Sequence, residues 1–113
     1  MNKILKLLIF IGLLTTTLSA SSQDTTSVLD KDLKGEYTGN IRRGLASGEG
    51  FAKGIDSYKG SFKKGLPHGV GKYVWSTGEI YIGEWYKGKM SGEGTYILNI
   101  DGKDSSIMGI WKE

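Results

Sequence analysis

The sequence predicts an all-β protein in which tandem antiparallel β-hairpins form an elongated, twisted open meander sheet behind a signal peptide. Three observations support this prediction: glycine-aromatic motifs that recur along the chain, a two-residue alternation typical of strands, and an excess of glycine. The 113 residues include 18 glycines but only one proline and no cysteine. Glycine makes up about 7% of an ordinary protein, so these glycines need a positional explanation.

Residues 1–20 have the three-part order of a secretory signal peptide. Lys3 and Lys6 precede an apolar stretch at 7–14, and small polar residues follow. The apolar run is shorter than the roughly 20 residues that a membrane-spanning helix needs. We therefore expect cleavage near Ala20, with the flanking serines as alternative sites. The mature protein is then exported and becomes periplasmic, envelope-associated or secreted.

Composition excludes several classes of protein. Removing Lys3 and Lys6 from the 15 basic residues leaves 13 against 12 acidic ones, a net charge of about +1. This charge is too small for a typical nucleic-acid-binding domain, so we expect no nucleic-acid partner. The absence of cysteine excludes disulfides, thiolate nucleophiles and cysteine-ligated zinc. The exported domain must be held together by packing and strand pairing.

A bulky residue followed two positions later by glycine recurs at intervals of 21, 23 and 26 residues. The motif begins at Tyr37, Tyr58, Tyr81 and Ile107. Each complete unit continues with another glycine and then a Gly-x-Gly pair, and such periodicity indicates a repeat architecture. The repeat glycines include Gly60, Gly69, Gly71, Gly83, Gly92 and Gly94. The predicted segments are a flexible leader at 21–34 and a repeat domain at 35–113, with units near 37–57, 58–80 and 81–106 and a partial capping unit at 107–113.

This pattern resembles the MORN repeat, in which Tyr-x-Gly-x-aromatic is followed by a glycine and a Gly-x-Gly pair. The second unit is the most similar, from Tyr58 through Gly65 and Gly69 to the turn at Gly78, and the resemblance extends over residues 37–111. It implies β-hairpin repeats and a role in protein interaction. MORN repeats have also been linked to anionic membrane lipids.

Residue parity predicts how the strands pack. Tyr58, Gly60 and Phe62 share one face of a strand, because successive side chains point to opposite faces. Rings on this face are expected to cover glycines of the neighbouring strand, which would form a one-layer core. The opposite face also carries apolar residues such as Val70 and Ile82. An apolar second face predicts weak self-association.

The residue pattern does not indicate catalysis. His68 is the only histidine and cannot form a standard zinc site without further ligands. Nothing in the sequence fixes the glutamates at 79, 84 and 93 at the distance that a catalytic carboxylate pair needs. The Gly-x-Gly pairs lack the third glycine of a nucleotide-binding loop. We therefore predict a non-catalytic module with no cofactor or metal, which mediates protein-protein interaction or self-assembly with an unknown protein partner.

Aromatic and basic residues are the candidates for binding. They are Tyr58, Phe62, Tyr81, Trp85 and Tyr86, with Lys59, Lys63, Lys64 and Lys72. The lysines lie in a run without acids between Asp56 and Glu79, which predicts, as an alternative function, binding to anionic membrane lipids or glycan surfaces. A solvated face that protects the sheet from aggregation explains the same lysines, and both interpretations stay open.

Overall fold

A computed structural model describes residues 26–112, and its regular structure is one antiparallel sheet. The strands are β1 (Glu36–Arg42), β2 (Leu45–Lys53), β3 (Ser57–Lys63), β4 (Leu66–Val74), β5 (Ile80–Tyr86), β6 (Lys89–Ile100) and β7 (Lys103–Trp111). Each strand is hydrogen-bonded to the next in chain order, so the predicted all-β meander of hairpins is confirmed. The predicted signal peptide and its cleavage site lie outside the described residues. Within those residues, no helix is long and apolar enough to cross a membrane.

Two-residue turns close the β1-β2, β3-β4 and β5-β6 hairpins. Each turn is a basic residue followed by glycine, and both residues have positive φ, for example 51° at Lys64 and 82° at Gly65. Positive φ at both central positions is the property of a type I′ turn, whose twist matches that of the strands it joins. Glycine at the second position adopts this conformation without a steric penalty. The repeats therefore reverse direction in the smallest number of residues.

A row of paired glycines crosses the sheet at mid-height. The row runs through Gly39, Gly50, Gly60, Gly71, Gly83, Gly94 and Gly109, one from each strand. A tyrosine from the first strand of each unit covers a glycine of the second, and a Cβ at Gly71 would overlap the hydroxyl and ring carbons of Tyr58. Tyr37 covers Gly50 in the same way. The predicted packing of rings over glycine is present in the structure.

Each covering tyrosine is also anchored by a hydrogen bond. The Tyr58 hydroxyl donates to the backbone carbonyl of Ser61 at 2.9 Å, and Ser61 lies where a bulge shifts the β3-β4 register. Tyr37 donates to the equivalent carbonyl of Asn40 at 2.6 Å. A buried hydroxyl without a partner would be costly, so the bulge and the tyrosine stabilise each other.

The covering rings pack edge to face along one side of the sheet, which we call the aromatic face. Tyr58 contacts Phe62 with ring centroids 5.0 Å apart and Trp85 with centroids 5.5 Å apart, and both contacts are T-shaped. Tyr81 and Trp85 repeat the arrangement at 5.3 Å. Such pairs contribute about 0.5–1.5 kcal/mol beyond their buried area. A single sheet thereby forms a continuous core.

Residues 26–34, which we call the strap, lie across the aromatic face. Val28 and Leu33 are 1% and 0% exposed and belong to the core cluster. The strap is bonded to the sheet at both ends, because the Ser27 carbonyl accepts from the Ala46 amide at 2.9 Å and the Asp32 carbonyl accepts from the Asp56 amide at 3.0 Å. Over residues 26–34 this packing differs from the flexible leader predicted for 21–34, because two apolar side chains are buried there.

The carboxylates of Asp30, Asp32 and Asp56 lie near one another where the strap ends. The buried Asp56 carboxylate accepts hydrogen bonds from the Tyr73 hydroxyl at 2.6 Å and the Ser76 amide at 2.8 Å. Partial burial raises the pKa of Asp30, and the nearby charges of Asp32 and Asp56 raise it further. Ionisation of Asp30 is therefore less favourable in the folded protein than in the unfolded chain.

Replacing Gly71 by alanine should destabilise the protein, because the new methyl group would overlap the buried Tyr58 ring. Overpacking of this kind costs about 1–3 kcal/mol. The control is Gly109→Ala, since a Cβ at Gly109 would meet only the Trp111 ring at 3.7 Å, an ordinary contact. We expect chemical denaturation to show a lower stability for Gly71→Ala alone. Equal stability of the two variants would contradict the role of tyrosine packing.

Replacing Asp30 by asparagine should stabilise the protein at pH 7. A carboxyl whose pKa is raised by folding contributes stability below its unfolded pKa and loses it as the pH rises through the folded pKa. The asparagine mimics the protonated form and keeps an oxygen for the Asp32 amide. The gain in unfolding temperature should shrink as the pH falls from the raised pKa of the folded protein towards the unfolded value of about 3.9, and it should vanish below that value. Asp104→Asn, which removes an exposed carboxylate, is the matched control, and an equal gain there would refute the explanation.

Candidate functional site

Four of the five aromatic residues predicted to bind a partner lie in the core. The exposed fractions of Tyr58, Phe62, Tyr81 and Trp85 are between 0% and 5%, whereas that of Tyr86 is 45%. Their rings pack against one another, and the Trp85 indole also donates to the Gly71 carbonyl at 3.3 Å. The structure therefore leaves only Tyr86 of this group accessible to a partner.

The four predicted lysines separate into two pairs. Lys59 and Lys72 lie opposite each other on β3 and β4, in the middle of the face that is not covered by aromatic rings. Lys63 and Lys64 lie at the β3-β4 turn. All four are exposed. The structure thus does not assemble them into one site, and the pair at the turn has other basic neighbours.

Basic residues are concentrated at one end of the sheet. In a simple meander, the β1-β2, β3-β4 and β5-β6 turns and the end of β7 all lie at the same end, which we call the basic rim (residues 41–46, 62–67, 85–90 and 111–112). Every charged residue in these ranges is basic: Arg42, Arg43, Lys63, Lys64, Lys87, Lys89 and Lys112. Strands lie about 4.8 Å apart, so successive turns are spaced by about 10 Å.

At the opposite end of the sheet, acidic residues outnumber basic ones. Its connections, at 53–57, 74–80 and 98–105, carry the acids Asp56, Glu79, Asp101 and Asp104 with only Lys53 and Lys103 as bases. The small net charge therefore conceals an uneven distribution of charge along the sheet. The basic rim is strongly positive, and the opposite end is weakly negative. A concentrated positive field of this kind attracts anionic partners.

Sequence reasoning located part of this rim and missed the rest. Lys63 and Lys64 were among the lysines predicted to bind, but Lys87 and Lys89, which belong to a later unit, were not. The sequence feature that could have located the whole rim is the basic residue before the turn glycine in all three units, at Arg43-Gly44, Lys64-Gly65 and Lys87-Gly88.

His68 and Tyr86 extend the rim on the face away from the aromatic core. Their rings lie 5.2 Å apart, and the Lys87 ammonium lies 5.2 Å from the centre of the Tyr86 ring. The Lys87 amide donates to His68 Nδ1 at 3.2 Å. A neutral imidazole that accepts at Nδ1 carries its proton on Nε2, so His68 is a hydrogen-bond donor through Nε2.

The described residues do not assemble a metal centre. Across residues 26–112, no group of three or more histidine, cysteine or acidic side chains is positioned to hold a metal ion. The buried Asp56 is already used by Tyr73 and Ser76. The chemistry that this arrangement supports most directly is electrostatic binding at the basic rim.

A second surface is formed by exposed apolar residues on the face opposite the core, which we call the apolar face. Ile82, Thr95 and Met108 are aligned across β5, β6 and β7, and with Ile110 they line a shallow depression. Val70 is 64% exposed and Met108 is 80% exposed. Clustered exposed apolar groups are typical of interaction surfaces.

Comparison with known proteins identifies the MORN repeat at residues 58–80 and 81–100. A stretch of 39 residues, 34% of the chain, is 56% identical to part of phosphatidylinositol 4-phosphate 5-kinase 1 of Oryza sativa subsp. japonica. A stretch of 67 residues, 53% of the chain, is 36% identical to part of Alsin of Rattus norvegicus and of Homo sapiens. The chain spans only 5% of the kinase and 4% of Alsin, so the similarity concerns the repeats and not the whole relatives.

Proposed function

We propose that this chain, whose residues 58–100 are MORN repeats, is a non-catalytic module that attaches to an anionic phospholipid surface through its basic rim. The observation that carries the proposal is the row of basic turns at one end of the sheet, without an acidic residue among them. A row of charged groups can meet an extended surface at several points at once. Export, inferred from the signal-peptide pattern at 1–20, would place that surface outside the cytoplasm.

The binding free energy expected from each basic residue is small, so attachment requires several turns to contact the surface together. Each basic residue near an anionic membrane contributes about 1 kcal/mol, so three turns that bind together give an affinity that one turn does not. Tyr86 adds an amphipathic ring of the kind that favours a membrane interface. The rice relative is named for a kinase reaction on a phosphoinositide, an anionic lipid, and this agrees with the proposed ligand class.

Reversing two rim charges should strongly weaken attachment to anionic vesicles. The variant is Lys64→Glu with Lys87→Glu, which changes two turns and leaves the core untouched. We expect wild type to sediment with vesicles of phosphatidylcholine and phosphatidylglycerol, to release at high salt, and to bind at least about tenfold more tightly than the variant. Phosphatidylcholine vesicles should capture neither protein.

The control is Lys53→Glu with Lys103→Glu, which makes the same charge change at the opposite end of the sheet. If binding depends on the rim, this control keeps most of its affinity. The proposal fails if both double variants lose affinity equally, or if wild type ignores phosphatidylglycerol. Binding to an acidic polysaccharide instead of vesicles would reassign the rim to a glycan surface.

Self-association through the apolar face is a second candidate function, which the exposure of Val70 and Met108 favours. Sedimentation equilibrium should then show association that rises with protein concentration. We expect Val70→Glu with Met108→Glu to remain monomeric, whereas Thr38→Glu, an exposed position on β1, behaves as wild type. Monomeric wild-type protein at high concentration would exclude this candidate.

A further inference from the structure

The tips of the first two hairpins and the strap border an open groove of about 920 Å³. Four cationic side chains line it: Arg42, Arg43, Lys63 and Lys64. No acidic residue is among its lining residues. The volume lies in the range of small-molecule sites, and the concentration of positive charge selects for an anion.

Main-chain hydrogen bonds hold the borders of the groove in place. The Gly65 amide donates to the Ala46 carbonyl at 3.0 Å, which joins the two tips. The Leu29 amide donates to the Gly65 carbonyl at 2.8 Å, which joins the strap to the second tip. Leu29, Leu45 and Phe62 supply an apolar part of the lining. The site is thus largely formed before a ligand binds, which lowers the entropic cost of binding.

Neutral polar groups accompany the cations. Ser47, Ser61 and His68 also line the groove. Because the Lys87 amide occupies His68 Nδ1, the remaining ring nitrogen is a donor. The groove therefore combines charged donors, hydroxyl groups and one imidazole N–H, the set that phosphate oxygens accept from.

The third unit provides an internal comparison. Glu84 replaces Ser61 at the equivalent position, and Tyr86 replaces Lys63. The Glu84 carboxylate accepts from the Glu93 amide at 2.7 Å. The equivalent surface of the third unit is therefore acidic where the groove is polar, so the repeat pattern alone does not create the groove.

We propose that this groove binds one phosphate ester group, with the phosphate among the four cationic side chains and the organic part against Leu29 and Leu45. The inference rests on the proposed function and deepens it, because it assigns one headgroup to one site. A phosphate carries up to two negative charges and three strong acceptor oxygens, which matches the donors better than a single carboxylate does. A lipid headgroup and a soluble phosphate ester share this chemistry.

The single histidine makes the groove observable in solution. His68 is the only histidine in the sequence, so its ring protons give one resolved set of NMR signals. We expect glycerol 3-phosphate to shift these signals in a saturable manner, whereas acetate at equal ionic strength does not. Ser61→Glu, which copies the residue found in the third unit, should abolish the saturable shift. Thr38→Glu adds the same charge outside the groove and should keep it.

Vesicles distinguish the two sources of phosphate. If the ligand is a lipid headgroup, Ser61→Glu binds phosphatidic acid vesicles at least about tenfold more weakly than Thr38→Glu, and glycerol 3-phosphate competes weakly. If it is a soluble ester, glycerol 3-phosphate saturates the His68 shift while both variants bind vesicles equally. The inference is overturned if Ser61→Glu and Thr38→Glu bind vesicles equally and glycerol 3-phosphate leaves His68 unchanged. Surface attachment by the rim would survive that result, because its own test uses Lys64 and Lys87.

Discussion

The packing of a tyrosine ring over a paired glycine is the interaction on which the rest of this structure depends. A single sheet has no second layer to bury its side chains, so its core must form between rings and backbone on one face. Tyr58 reaches across β4 because Gly71 has no side chain there, and its hydroxyl is satisfied by the Ser61 carbonyl. The same contact in successive units sets the register of the hairpins. Covering bare backbone also removes apolar ring surface from water.

The hairpin geometry that results from this packing also places the basic turn residues at one end of the sheet. Because every unit has the same two-residue turn, the basic residue before each turn glycine is brought to the same end of the sheet. Three small local features thereby become one extended basic surface. The connections at the other end differ in length and carry most of the nearby acids. Repetition of a turn, and not a charge-rich segment, produces the positive rim, and this explains how a chain of low net charge can present it.

The strap contributes to both stability and the candidate site. Its apolar residues Val28 and Leu33 cover part of the aromatic face that a lone sheet leaves open. Its backbone bonds to Ala46 and Gly65 fix the two hairpin tips that border the groove. A residue of the strap, Leu29, lines that groove. The groove and the packing of the strap are thus physically connected through the same backbone groups.

The sequence by itself determined the repeat, the hairpins and the contact of tyrosine with glycine, because each follows from spacing within about 25 residues and from strand parity. Tyr58 and Gly71 were predictable partners for this reason. Parity also placed Phe62 and Trp85 on the packed face, yet it did not exclude them as binding residues. Only the tertiary structure decided that Phe62 and Trp85 are buried beyond the reach of a partner, and that the strap packs on the sheet. These outcomes depend on strand order and on burial by distant residues, which a local pattern does not encode.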